Sequence, residues 1–240
     1  MIHFISDLHL SPQSPGATAL FLKYLAGPAR QAESLFILGD FFEVWVGDDD
    51  IGDPFNTRLV AALRDASDTG LKLFFLHGNR DFLLGPNFAA ASGTQLLPDP
   101  YVLSLSSWQF VLSHGDALCT DDVEYQDFRR QVRDPQWQAA FLAKPLPERL
   151  AIAAQMRAGS EANKQGKAAY LMDINLRETD DFLRAHGYAT FIHGHTHRPA
   201  THQHMVDGIH VERWVLADWH EDRGEVLVWD GERLSRKALT

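Results

Sequence analysis

The chain has one cysteine, Cys119, in 240 residues. That excludes an intrachain disulfide and any metal centre built on several thiolates. No stretch approaches the roughly 20 apolar residues that a bilayer-crossing helix needs. The first residues, Met1-Ile2-His3-Phe4, lack the charged and apolar regions of a secretory signal, so a cytoplasmic location is expected. Basic charge is also scarce: 22 Lys and Arg stand against 32 Asp and Glu, a formal net charge of -10. That balance argues against nucleic acid as a general partner. There are no internal repeats, low-complexity segments or linkers. The length and a hydrophobic content of 45% suit a single domain with a substantial insertion.

What is present is a set of apolar runs that end in polar residues. Leu35 to Asp40 reads Leu-Phe-Ile-Leu-Gly-Asp, as a buried parallel strand does when it delivers a carboxylate to a site at its carboxyl edge. Taken alone, Asp40 is better read as a turn or N-cap acid. Four further runs end in the same manner, at Asp7-Leu8-His9, His77-Gly78-Asn79, His114-Gly115-Asp116 and His193-Gly194-His195-Thr196-His197. Five such ends are hard to explain as unrelated turns.

In order, Ile2–Ser6 is expected as a strand and Ala17–Ala29 as a helix crossing over to the strand before Asp40. The acid run Asp48-Asp49-Asp50 is expected in a solvated loop, ahead of a helix over Pro54–Thr69 that Gly70 stops. Lys72–Leu76 completes a βαβαβ pattern with right-handed crossovers. Tyr101–Leu105 and Gln109–Leu112 read as a hairpin around Ser106-Ser107. From Asp122 to His186 the apolar spacing turns helical, broken by Pro135, Pro145 and Pro147. A new helix is expected to start with Ser160 as its N-cap and to stop near Gly187. Strands begin again at Ala189, with Val211–Leu216 and Glu225–Trp229, and Asp230-Gly231 makes a hairpin turn.

Asp7, His9, Asp40, Asn79, His114, His195 and His197 are oxygen and imidazole donors, a set that suits Mn²⁺, Fe²⁺ or Zn²⁺ and leans toward Mn²⁺. Seven ligands are too many for one such ion and suit two that share a carboxylate. A pair of ions can clamp a phosphoryl group and stabilise charge on its attacking and leaving oxygens. The bland alternative for each residue alone is a turn, core or surface position.

These ordered blocks resemble the calcineurin-like metallophosphoesterases. That resemblance implies an α/β fold, a four-layer α/β/β/α sandwich. It also implies that Asp7, His9, Asp40 and His197 hold one metal and Asp40, Asn79, His114 and His195 the other, with Asp40 as the bridge. One block departs from the superfamily: Gly78-Asn79-Arg80-Asp81 has Arg80 where most members carry a catalytic His. Arg cannot serve as a conventional general acid, yet it binds phosphate oxygens bidentately. A substrate whose leaving group needs little protonation, such as a pyrophosphate, fits that exchange.

Gly78-Asn79-Arg80-Asp81-Phe82, the block from Gly39 to Asp49, the helical insertion after His114, Met172-Asp173-Ile174-Asn175 and Gly194-His195-Thr196-His197-Arg198-Pro199 narrow the resemblance. Together they look like the diphosphatases of lipid A biosynthesis that act on UDP-2,3-diacylglucosamine. The resemblance implies two Mn²⁺ ions, water attack at the α-phosphorus, and catalytic roles for Asp40, Asn79, Arg80, His114 and His195. It places substrate contacts at Asn79, Arg80, Asp122, Ser160, Asn163, Lys164, Lys167 and His195. It also implies peripheral association with the inner membrane surface and a monomeric chain.

The insertion, over 122–186, is expected to form the substrate-binding cap. Between Arg129 and Lys167 it carries eight basic residues against three acids, a balance of +5 that leaves -15 for the rest. That segment is a candidate anion clamp, or else a solvated helix face. Phe128, Phe141, Leu142, Leu146, Ile152 and Met156 either receive acyl chains or form the insertion's own core. Two rival readings remain: a metallophosphoesterase acting on soluble phosphodiesters, and a scaffold without turnover. The first would normally keep His after Asn79; the second would normally lose ligands, and none is missing.

Overall fold

The computed structural model describes residues 1–106, 108–164 and 173–240, and of residues 160–164 it describes the backbone only. Among the described residues, eleven strands form two sheets. The first sheet has the order β11-β10-β1-β2-β3-β4. It contains β1 (Ile2–Ile5), β2 (Ser34–Ile37), β3 (Lys72–Phe75), β4 (Thr94–Leu96), β10 (Gly224–Trp229) and β11 (Leu234–Leu239). The second has the order β5-β6-β7-β9-β8. It contains β5 (Tyr101–Ser104), β6 (Gln109–Ser113), β7 (Thr190–His193), β8 (Ala200–Val206) and β9 (Ile209–Val215).

Alternation along the strands builds the layers, because successive side chains leave opposite faces of a sheet. Phe4, Phe36, Phe110, Leu112 and Ile192 meet between the two sheets. Phe36 lies 5.5 Å from Phe4 and 4.6 Å from Phe74, ring centroid to ring centroid. Ile5, Leu35, Ile37 and Phe75 point the other way, into a core shared with helices α1 (Pro15–Ala26), α2 (Pro54–Asp68) and α3 (Pro86–Ser92). Val111 and Phe191 point outward from the second sheet to Leu183 of α7 (Leu176–Ala185). The order is thus helices, sheet, sheet, helix: the expected α/β/β/α sandwich.

The strands β1, β2 and β3 are parallel and end together at Ile5, Ile37 and Phe75. In the other sheet β6, β7 and β9 are parallel and end together at Ser113, His193 and Val215. The loops that follow these six ends gather at one edge of the sandwich. That edge carries the site.

Four expectations are corrected. Helix α1 stops at Ala26 rather than Ala29, since Pro28 has no N–H with which to continue it. The elements α3, β4 and β8 were not anticipated. Helix α6 (Leu146–Lys164) runs through Ser160 without a break, so Ser160 is no N-cap. Gly159 costs only about 1 kcal/mol inside a helix, too little to stop one. The next helix instead begins from Asn175, whose Oδ1 accepts from the N–H groups of Arg177 and Glu178.

The acid run is not a solvated loop either. It forms a short 3₁₀ turn that sends each carboxylate to its own partner. Asp48 accepts from the N–H groups of Gly85, Asn87 and Phe88 at the start of α3 and from Trp45 Nε1. Asp49 pairs with the buried guanidinium of Arg149, and Asp50 accepts from Asn56 at 3.2 Å.

The segment expected as a cap divides in two. Helices α4 (Val123–Arg133), α5 (Pro135–Leu142) and α6 lie against the loops that follow β2 and β3. Arg133 donates to the carbonyl of Gly78 at 2.9 Å, and Arg149 donates to that of Val46 at 2.6 Å. Helix α7, by contrast, is the outer layer of the second sheet. The reading of Lys167 falls outside the described residues, as do the side chains of Ser160, Asn163 and Lys164.

Candidate metal centre and cavity

Among the described residues, five of the seven non-glycine residues with positive φ are Asp7, His9, Asp40, His195 and His197. A side chain in this region costs energy and persists only where its surroundings over-determine it, as at functional sites. Backbone bonds supply that constraint here. Asp7 N–H donates to Gly39 O, His9 N–H to Asp40 O, and Gly194 N–H to His114 O, all within 3.1 Å. Gly78 and Gly194 allow a closer approach than any other residue would. A Cβ on Gly78 would strike the Asp40 carboxylate, and one on Gly194 would strike the Asp7 carboxylate.

The expected ligands come together as two half-sites. His9 Nε2 and His197 Nε2 lie 3.3 Å apart, and Asp7 Oδ1 lies 3.4 Å from His197 Nε2. On the other side Asn79 Oδ1 lies 3.1 Å from His114 Nε2 and 2.9 Å from His195 Nδ1. Asp40 stands between them: its Oδ2 is 3.7 Å from His9 Nε2 and its Oδ1 is 3.7 Å from His114 Nε2. Asp7 also has ligand atoms grouped with both sides, with His9 and His197 and with Asp40 and His114.

Three of the four imidazoles are held from behind. Glu43 Oε2 lies 2.8 Å from His9 Nδ1, Asp218 Oδ2 lies 3.3 Å from His197 Nδ1, and the Leu38 carbonyl accepts from His114 Nδ1 at 2.8 Å. Tying down Nδ1 leaves the Nε2 lone pair pointing inward. Lone pairs and carboxylates then converge on one space, which is repulsive without a cation. Asp7 Oδ1 is buried and accepts no hydrogen bond. The donor set therefore fits divalent metal ions.

In the metal-free chain protons offset that field. Burial opposes the charge on His114, yet Asp40, Asp7 and Asp116 push it up to about 9. Burial likewise opposes charge on His197, while Asp218 and Asp7 push it up to about 10. His195 goes the other way, down to about 4, through burial and the charge of His114. Burial would raise Asp7, but the imidazoles of His197, His114 and His9 hold it well below the usual carboxylate range.

A cavity of about 640 Å³ opens beside this centre. Its lining includes the polar residues His9, Asp40, Asn79, Arg80, His195 and His197 and the apolar residues Val44, Phe82, Phe128, Trp137, Phe141 and Met156. Asp122 also lines it, and caps α4 by accepting from Tyr125 N–H at 3.1 Å. Of the apolar residues left open by sequence, Phe128, Phe141 and Met156 face the cavity. Leu146 and Ile152 pack on the main core, and Leu142 is exposed.

Arg80 is largely buried, its Nε has no hydrogen-bond partner, and its nearest carboxylate oxygen, Glu43 Oε1, is 3.8 Å from Nη1. A guanidinium so poorly satisfied at the mouth of a cavity is suited to an anionic ligand.

The described side chains of the basic stretch mostly pair with carboxylates of the fold itself. Arg129 pairs with Asp116, Arg130 with Asp127, Lys144 with Glu148, and Arg149 with Asp49. Arg157 is the described member that reaches the site, 3.0 Å from Glu43.

Sequence reasoning missed Glu43, Asp218 and Asp81. The Asp81 carboxylate accepts from the N–H groups of Gly78 and Phe41 at 2.9 and 2.8 Å and so locks two ligand loops together. Burial and the charge of Asp40 raise it to about 7. Its signal was the Gly78-Asn79-Arg80-Asp81 block itself; Glu43 and Asp218 carry none beyond being acids after strands.

Over residues 1–199 the chain matches the calcineurin-like phosphoesterase family. It is 53% identical over 228 residues to the UDP-2,3-diacylglucosamine hydrolase of Aromatoleum aromaticum, across 95% of this chain and 92% of that one. It is 51% identical over 231 residues to the protein of that name from Chromobacterium violaceum, across 95% and 94%. The likeness to that of Chromohalobacter salexigens is 50% over 228 residues, across 94% and 92%.

Proposed function

We propose that this chain, which belongs to the calcineurin-like phosphoesterase family, is a metal-dependent hydrolase that cleaves the pyrophosphate of UDP-2,3-diacylglucosamine. The products are UMP and 2,3-diacylglucosamine 1-phosphate, in lipid A biosynthesis. The observation that carries this reading is a cavity whose lining combines two unlike sets of residues. The carboxylate, imidazole and guanidinium groups suit a metal-bound diphosphate, and the aromatic and aliphatic groups suit acyl chains. The printed names of the relatives support the same substrate.

Two Mn²⁺ ions would be held by Asp7, His9, Asp40 and His197 and by Asp40, Asn79, His114 and His195, supplying positive charge at the attacked α-phosphorus and lowering the pKa of water. Arg80 binds a phosphoryl oxygen and stabilises the charge that builds there. It donates no proton. His195, assigned to a metal ion, serves as a ligand rather than as a proton donor. The leaving group must therefore depart without strong acid assistance, as a phosphate monoester can. Asp122, Ser160, Asn163, Lys164 and Lys167 are further proposed substrate contacts.

Among the described residues no helix is long and apolar enough to cross a membrane. Exposed Val123, Leu142, Leu150 and Met156 on α4 to α6 support peripheral docking of a monomer on the cytoplasmic face of the inner membrane. Metal-stripped protein with Mn²⁺ restored, assayed on UDP-2,3-diacylglucosamine and on a soluble phosphodiester, tests the reading. UMP from the lipid nucleotide alone supports it, and ¹⁸O from water in that UMP supports attack at the α-phosphorus. Faster turnover of the soluble ester overturns it.

A further inference from the structure

Glu43 follows the loop that carries Asp40 and belongs to neither ligand set. It is only 9% exposed, so its charge requires partners. Its two oxygens divide them. Oε2 lies 2.8 Å from His9 Nδ1. Oε1 lies 3.0 Å from Nη1 of Arg157, on α6, and 3.8 Å from Nη1 of Arg80. One buried carboxylate thus touches a metal-ligand candidate, the helix beside the cavity, and the guanidinium that faces the phosphate end.

We propose that Glu43 is a positioning residue that ties the His9 half-site to helix α6, so that metal binding by His9 and the seating of substrate against α6 are set by the same side chain. The inference rests on the metal-dependent hydrolase reading above. A carboxylate this close to Nδ1 favours a proton there and so biases the imidazole's tautomer, although the present angle does not complete a hydrogen bond; removing such partners lowers metal affinity by about 10–100-fold. On the other oxygen, Arg157 is within hydrogen-bond range and Arg80 is not. Arg157 is therefore the anchor of α6, and Arg80 remains available to an anion.

The test compares wild type with Glu43→Gln, Glu43→Asp, Arg157→Met and the Glu43→Gln/Arg157→Met double variant. Mn²⁺ titration followed by electron paramagnetic resonance reads the metal half and needs no substrate. Hydrogen exchange of the α6 amides and KM for UDP-2,3-diacylglucosamine read the other half. Glu43→Gln is expected to weaken one of two Mn²⁺ sites by about 10–100-fold, raise KM and speed exchange in α6. Arg157→Met is expected to raise KM and speed that exchange while leaving Mn²⁺ affinity at the wild-type value. The double variant should be no worse in KM than Glu43→Gln, since both changes remove one contact.

Unchanged Mn²⁺ affinity in both Glu43 variants overturns the tie to the half-site. Additive KM effects, or α6 exchange unchanged by either substitution, overturn the tie to the helix. Where Glu43→Gln fails to fold, Glu43→Asp and Arg157→Met decide the two halves. A chain that binds Mn²⁺ and leaves the lipid nucleotide intact sinks the substrate reading alone, and the titration and exchange still judge this inference.

Discussion

The Nε2 atoms of His9 and His197 face each other at 3.3 Å, and each ring has its Nδ1 turned to a carboxylate, Glu43 in one case and Asp218 in the other. Two lone pairs so placed need a cation between them. In the metal-free chain that cation is a proton on His197, which Asp218 and Asp7 favour strongly enough to overcome burial.

Metal binding must displace that proton and the one on His114. With these groups at about 10 and about 9, both imidazoles are charged at neutral pH. Only their neutral forms bind metal. Apparent Mn²⁺ affinity should therefore rise with pH up to about 10, less steeply above about 9, with proton release at pH 7.5. Calorimetry in buffers of different ionisation enthalpy measures this; no proton release would contradict it.

Asp40→Asn should abolish turnover. One oxygen of Asp40 faces each half-site, and the substitution removes the charge and gives one of them a donor instead. The Mn²⁺ stoichiometry of the variant should fall below that of wild type. Substantial activity with full stoichiometry would remove Asp40 from the bridging position.

Arg80→Ala should lower kcat/KM for the lipid nucleotide by roughly 10²-fold or more, the cost of losing a donor aimed at developing charge. Its guanidinium has no hydrogen bond in the folded chain, so melting temperature should barely change. Kinetics beside a thermal melt separates the two effects, and an unchanged rate would make Arg80 a bystander.

His3 is buried, its Nδ1 lies 2.9 Å from the Tyr24 hydroxyl, and burial and the N-terminal charge lower it to about 4. The unfolded chain, near 6.5, then binds a proton that the folded chain refuses. Stability should be fully present above about pH 6.5 and decline as pH falls toward 4. Urea unfolding at pH 7 and pH 5 measures the loss, and His3→Gln should flatten that part of the slope.

Asp48→Ala should cost about 1–2 kcal/mol by leaving the first N–H groups of α3 unsatisfied. For a chain of this size the melting temperature should drop by a few degrees, about 2–4 °C per kcal/mol. Turnover at low temperature should persist, because Asp48 touches neither ligands nor cavity. A large loss of kcat without a change in melting would show otherwise.

The ligand-bearing strand ends were legible because each is local. A buried strand needs apolar residues, a sharp exit needs glycine, and a metal needs a donor, so all three occur within six residues. Residues 35–40, 74–79 and 191–197 all show it. Arg80 was legible as a departure from a pattern. Glu43 and Asp218 were not, because an acid behind an imidazole looks like any surface acid until the fold sets it there. The Ser160 expectation failed because a Gly-Ser pair is a cap signal only where the helix before it has ended.

The sequence by itself determined which chemistry the chain can carry: oxygen and imidazole donors, one thiol, and an arginine in place of a general acid. It also determined the order in which the strands deliver those groups. Only the tertiary structure decided that Asp7 lies beside His195, 188 positions away, that Asp40 stands between the half-sites, and that Arg157 reaches Glu43 behind His9. Those relations come from the packing of two sheets and of helices α4 to α6 against their loops. Their energies depend on burial and distance, which no local stretch of residues encodes.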